Sequence, residues 1–262
     1  MHYETLGVPD RPAVVFLHGL SNFGLVWAPQ LEVAVHGGWR AVTVDLPGHG
    51  LSEPVSAKRA VPELAEDLLA VLDDLGIEEA VFCGLSLGSM IAQQLLVDHP
   101  ERVTGAVLAA IGTHLTFPGA REMVDGWIAL WLSENGPIKR LEATWPFLTT
   151  EGFRESPPGQ ALYASWRRAL ATVDGRSLAY VAEGLLEFDV RAGLPSVHGK
   201  PVLVLAGEHD RLAPPPMVHE VADLIPGAQF ELIEGAGHIS NRERPERFND
   251  LLLEFLARCR AR

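Results

Sequence analysis

The chain has 262 residues, 47% of them hydrophobic, with 34 acidic against 21 basic side chains and a formal net charge of −13. This length admits one large domain, or a domain with a substantial insertion, and a sizeable core. The acidic balance argues against nucleic acid as a partner, because phosphate binding needs basic patches. No apolar run approaches bilayer-spanning length, so no membrane association is expected. The N-terminus carries no basic stretch followed by an apolar one, which points to the cytoplasm. Cys83 and Cys259 are too few for a disulfide framework and read as thiols of a reducing compartment. No cysteine–histidine spacing suggests structural zinc.

Short apolar runs alternate with helical patterns, which predicts an α/β chain with a mostly parallel central sheet flanked by helices. The first strand of that rhythm is Ala13 to Leu17, and the next Ala41 to Val44. Leu64, Leu68, Val71, Leu72 and Leu75 recur at helical spacing, with Pro62 suited to the first turn and Gly76 as the stop. A strand then ends at Cys83, and a helix follows, closed near His99-Pro100. Val103 to Ile111, Pro201 to Ala206 and Gln229 to Ile233 read as further strands. Phe248, Leu251, Leu252, Phe255 and Leu256 share one face of a last helix. Between Gly112 and about Pro195 the strand-like runs vanish, and four of the six tryptophans lie there. Residues 113–195 therefore read as a helical cap inserted into a core of residues 1–112 and 196–262, over the end of the sheet where open α/β folds bind ligands. Pro157-Pro158-Gly159 marks a break within it.

Gly84-Leu85-Ser86-Leu87-Gly88 sits where a strand meets a helix. A serine between two glycines at such a turn has the form of a nucleophile elbow. The turn leaves no room for side chains two residues either side of the serine, and glycine tolerates the strained backbone expected there. A serine hydroxyl needs a base within hydrogen-bond reach, and the base needs an orienting acid. His238, in Gly235-Ala236-Gly237-His238 after the last strand, is the base best placed. Asp210, just past the Pro201–Ala206 strand, is the candidate acid, with Glu208 as the alternative. Attack on a carbonyl puts charge on its oxygen, which backbone N–H groups must face. Leu87 supplies one, straight after the nucleophile. Leu20, in His18-Gly19-Leu20-Ser21, supplies the second, with His18 shaping that loop by hydrogen bonding.

Together with Asp45-Leu46-Pro47-Gly48-His49-Gly50-Leu51-Ser52, these motifs resemble the α/β-hydrolase superfamily over essentially the whole chain. The stretches Phe82 to Ile111 and Gly235 to Phe248 are similar to 3-oxoadipate enol-lactonases and nearby esterases. The resemblance departs at Ser89, where those proteins commonly have glycine. It implies an eight-stranded, mostly parallel sheet with a helical cap after the sixth strand. Only His2 to Leu6 precedes the Ala13–Leu17 strand, so the first strand of the usual set is expected to be missing. Asp45 and His49 are expected to hold their loop by hydrogen bonds.

The function expected is a serine hydrolase that cleaves a small-molecule carboxylic ester or lactone through an acyl-enzyme, with no metal and no organic cofactor. A carbon–carbon bond hydrolase or a perhydrolase on the same triad, and a small-molecule receptor with slow turnover, remain alternatives. Trp127 and Trp131, four residues apart and so on one helical face, are candidates to line an apolar pocket. Trp145, Tyr163 and Trp166 are next.

Overall fold

The computed structural model describes residues 1–260. Among the described residues seven strands form one sheet: β1 (His2–Leu6), β2 (Ala13–Leu17), β3 (Arg40–Asp45), β4 (Ala80–Leu85), β5 (Val103–Ala109), β6 (Val202–Gly207) and β7 (Gln229–Ile233). Their order is β1-β3-β2-β4-β5-β6-β7. Every pairing is parallel except β1 with β3.

Strands β2 to β6 are buried almost throughout, as a sheet covered on both faces requires. The two-residue period sorts their side chains into two layers. Val15, Leu17, Val42, Val44 and Phe82 face α2 (Val61–Asp74), α3 (Leu87–Asp98) and α9 (Pro215–Leu224). Val14, Phe16, Val81, Cys83, Leu203 and Leu205 face α1 (Ala28–His36) and α11 (Pro245–Arg260). The four-residue α10 (Ser240–Glu243) precedes α11.

Five helices lie between β5 and β6: α4 (Ala120–Trp131), α5 (Gly136–Leu148), α6 (Glu151–Glu155), α7 (Pro157–Leu170) and α8 (Gly175–Leu185). In the seven-strand count they follow the fifth strand. The first strand of the eight-stranded pattern has no counterpart among the described residues, so the predicted sixth is β5 here. Pro157 and Pro158 open α7, where a missing N–H costs no helical bond. The strand predicted to reach Ile111 stops at Ala109, because Ala110 takes a left-handed φ of 58°. Among the described residues no helix is long and apolar enough to cross a membrane, and no cluster of His, Cys, Asp and Glu could hold a metal ion.

Candidate active site

Ser86 stands between β4 and α3 with φ 54° and ψ −114°. The strain expected of the flanking glycines thus falls on the serine itself, at a cost of about 1–3 kcal/mol. The glycines answer to space instead. A Cβ on Gly84 would lie 2.4 Å from the Gly88 carbonyl, and one on Gly88 would lie 2.0 Å from the Leu17 oxygen. The turn is pinned to the end of β5: Ser86 N–H donates to Ala109 O at 2.9 Å, and the Ser89 hydroxyl also donates to Ala109 O at 2.8 Å. Ala109 N–H donates back to that hydroxyl at 2.9 Å. Ser89, where glycine is common in the resembling proteins, therefore does a bonding task that glycine could not.

His238 and Asp210 come from the loops after β7 and β6. His238 Nδ1 donates to Asp210 Oδ2 at 2.9 Å, with both side chains almost wholly buried. Asp210 Oδ1 accepts the N–H groups of Leu212 and Ala213, each at 2.9 Å. One carboxylate thus fixes its own loop with one oxygen and the imidazole with the other. The arrangement sets the ring tautomer and leaves Nε2 as the acceptor. Glu208, the alternative acid, is more exposed. It accepts Gly235 N–H at 2.8 Å, and so braces the histidine loop rather than the ring of His238.

The histidine loop has further supports. His238 N–H donates to Leu148 O at 3.0 Å. Glu243 accepts from Gly237 N–H at 2.9 Å, and from Thr150 N–H at 2.9 Å and its hydroxyl at 2.6 Å. Burial pushes the Glu243 carboxyl above its ordinary pKa, against those hydrogen bonds.

The loop after β2 is held by His18. Its Nε2 accepts Leu46 N–H at 3.0 Å, which places the ring proton on Nδ1, donated to Gly19 O at 2.8 Å. Burial lowers the pKa of His18 to about 4. His49 lies against it, ring centroids 5.2 Å apart, and is lowered to about 3 by burial and then by its neighbour. Asp45 accepts Gly24 N–H at 2.7 Å and Leu51 N–H at 2.8 Å, so this stretch is a hydrogen-bonded brace. Gly19 abuts the serine: a methyl placed there would sit 3.3 Å from Ser86 Cβ. Neither Leu20 N–H nor Leu87 N–H donates a hydrogen bond among the described residues.

Ser86, His238, Leu20 and Leu87 all line one cavity of about 100 Å³. Among the described residues no hydrogen bond joins the Ser86 hydroxyl to His238; the two meet as parts of this wall. Trp127 and Trp166 line it too. Trp131, Trp145 and Tyr163 do not. Trp131 is buried in the core, edge-on to Trp127, because a shared helical face is wide enough to split between cavity and core. Trp145 and Tyr163 pack with their rings tilted against each other, and Trp145 meets Trp166 edge to face, so they back the cavity wall. Trp166 also donates its indole N–H to Ser21 O at 2.6 Å.

The sequence reading missed Arg140. It lies on α5, lines the cavity and is 8% exposed. The signal was present: Pro137, Arg140, Leu141 and Trp145 form the buried stripe of that helix.

The family described as alpha/beta hydrolase fold matches residues 12–245. The chain belongs to that family. The 3-oxoadipate enol-lactonase 2 of Acinetobacter baylyi is 31% identical over 255 residues, 95% of this chain and 90% of the relative. A protein of Stutzerimonas stutzeri, provisionally named the carbamate hydrolase RutD, is 31% identical over 269 residues, covering 98% and 97%. The solved structure of a thermophilic esterase from Thermogutta terrifontis superposes with a TM-score of 0.89 at 27% identity, covering 98% of this chain and 93% of that one. These matches establish the hydrolase fold and support a hydrolase activity.

Proposed function

We propose that this α/β-hydrolase cleaves a carboxylic ester or lactone with Ser86 as nucleophile, His238 as base and Asp210 as the acid that orients it. The observation that carries the reading is the His238–Asp210 pair, bonded at 2.9 Å, opening on the same cavity as a strained, glycine-flanked serine. His238 Nε2 takes the Ser86 proton as Oγ attacks the carbonyl, and then returns it to the leaving oxygen. Leu20 N–H and Leu87 N–H face the oxyanion. Water, activated by the same imidazole, releases the acyl group from Ser86. In unliganded sites the serine–histidine contact is often long and tightens on binding. The segment 113–195 acts as a cap over the core of 1–112 and 196–262, because α4, α5, α7 and α8 contribute cavity walls.

The test is multiple-turnover hydrolysis of p-nitrophenyl acetate, simple lactones and a p-nitrophenyl carbamate, with Ser86→Ala alongside. The variant should keep its melting temperature and lose about a thousandfold or more in kcat. Retention of more than about a few per cent of the rate would show that another residue does the chemistry.

A further inference from the structure

One charged group in the cavity has no part in the chemistry at Ser86. Arg140 reaches in from α5, with its guanidinium over the rings of Trp127 and Trp131 at 4.7 and 5.4 Å. Its Nε–H is buried without a hydrogen-bond partner. No carboxylate pairs with it among the described residues: Glu142, the nearest acid along its helix, turns to Arg167 instead, at 3.6 Å. Among the described residues no aspartate or glutamate lines the cavity, in a chain that holds 34 of them.

An arginine buried away from any anion is unfavourable, and the faces of two indoles offset only part of the cost. Burial lowers its pKa to about 10, so it stays charged at neutral pH. The planar guanidinium presents a fork of N–H donors that matches a carboxylate. The remaining wall is mostly aliphatic and aromatic, so one small anion with an apolar body fits its chemistry.

We propose that Arg140 is a carboxylate-binding residue, and that the substrate is an ester or lactone with a free carboxylate near the scissile carbonyl. The assignment rests on the ester-hydrolase reading above, and it names the substrate class of that site. Arg140 touches the substrate's anion and not the reacting carbonyl, so it sets specificity and orientation. The carboxylate completes the missing partner of a buried cation and pins the substrate at one end while Ser86 attacks the other.

Two matched pairs test this, each followed by acid release at constant pH. Monomethyl glutarate against methyl pentanoate puts the charge on the acyl side; 4-acetoxybutanoate against butyl acetate puts it on the alcohol side. In at least one pair kcat/KM should favour the anion about ten- to hundredfold, the worth of one charge-assisted hydrogen-bonded pair. Arg140→Met keeps an unbranched apolar side chain without the charge and should abolish the preference, and Arg140→Lys should restore part of it. Glutarate should inhibit the wild type competitively and raise its melting temperature, but not that of Arg140→Met. A preference absent from both pairs, or unchanged in Arg140→Met, overturns the assignment. Should the Met variant fail to fold, the wild-type preference and glutarate competition decide alone. If hydrolysis depends on Ser86 but ignores the carboxylate, only Arg140's role falls. If no ester is cleaved in a Ser86-dependent way, the hydrolase reading falls, and glutarate binding still tests Arg140.

Discussion

Lowering the pH from 7 to 5 should destabilise this protein through two buried histidines. His18 and His49 are held neutral, with pKa values of about 4 and about 3 against 6.5 for an exposed imidazole. Desolvation is the first cause for both. The bonding pattern agrees for His18, since its Nε2 accepts Leu46 N–H and a protonated ring could not. The folded pKa lies below the unfolded value. Below pH 6.5 the unfolded chain therefore binds protons that the native state refuses, and stability falls as pH drops toward the folded values. At about 1.4 kcal/mol per unit, His18 alone represents roughly 3 kcal/mol when the pH reaches 4. Between pH 7 and 5 each histidine should withdraw about 2 kcal/mol, a large share of a typical stability of about 5–15 kcal/mol. Most carboxylates stay ionised in this window, so they add little. Urea unfolding at pH 7, 6 and 5 measures the effect, with His49→Phe to remove one titrating group. The variant should lose only about half as much stability as the wild type over this range. Equal stability at pH 7 and 5, or the same slope in wild type and variant, would refute the burial argument. The functional consequence is local, because His18 fixes Gly19 O beside the proposed oxyanion donor Leu20.

Two further substitutions separate roles within the site. Asp210→Asn should cut kcat by about a thousandfold or more, because an amide cannot hold the imidazole in the required tautomer. Glu208→Gln should cost far less; steady-state rates in which that order is reversed would reassign the acid. Trp127→Ala should reorder the preference among p-nitrophenyl esters of graded chain length, since Trp127 lines the cavity. Trp131→Ala should lower the melting temperature by several degrees, on the order of the cost of an aromatic core truncation, and leave that order intact.

The sheet was legible because strands buried on both faces read as unbroken apolar runs, as in Ala13 to Leu17. Strand β1 was placed only through the family resemblance, and helix α1 not at all. Residues 3–6 of β1 are exposed at the sheet edge, and α1 buries only Gln30, Leu31 and Ala34, too thin a stripe to show a period. Ser86, Asp210 and His238 were legible as candidates because each follows a strand in a loop whose neighbours restrict it. Which tryptophans reach the cavity was not, since helical spacing says which residues share a face but not what covers each part of it. Arg140 escaped for a related reason. A charged residue in an amphipathic segment is normally solvated, so its charge outweighed the spacing that puts it in one stripe with Pro137, Leu141 and Trp145.

The segment between β5 and β6 does more than wall the cavity, and this bears on how its variants should behave. Trp166 on α7 holds the loop of Leu20 through Ser21 O, and Leu148 at the end of α5 holds the backbone of His238. Glu243 bonds Thr150 and Gly237 at once, tying the same segment to the histidine loop. A wall that only excluded water and shaped the pocket would alter KM when changed. A segment that also sets the positions of the proposed oxyanion donor and base must alter kcat as well, because small displacements of either are costly to the transition state. The residues to compare are therefore Trp127, which lines the cavity without bonding to either loop, and Trp166, which does both. Loss of the Trp166 indole N–H, as in Trp166→Phe, should lower kcat at least as much as it raises KM. A pure KM effect would mean that the loop after β2 keeps its shape without that bond.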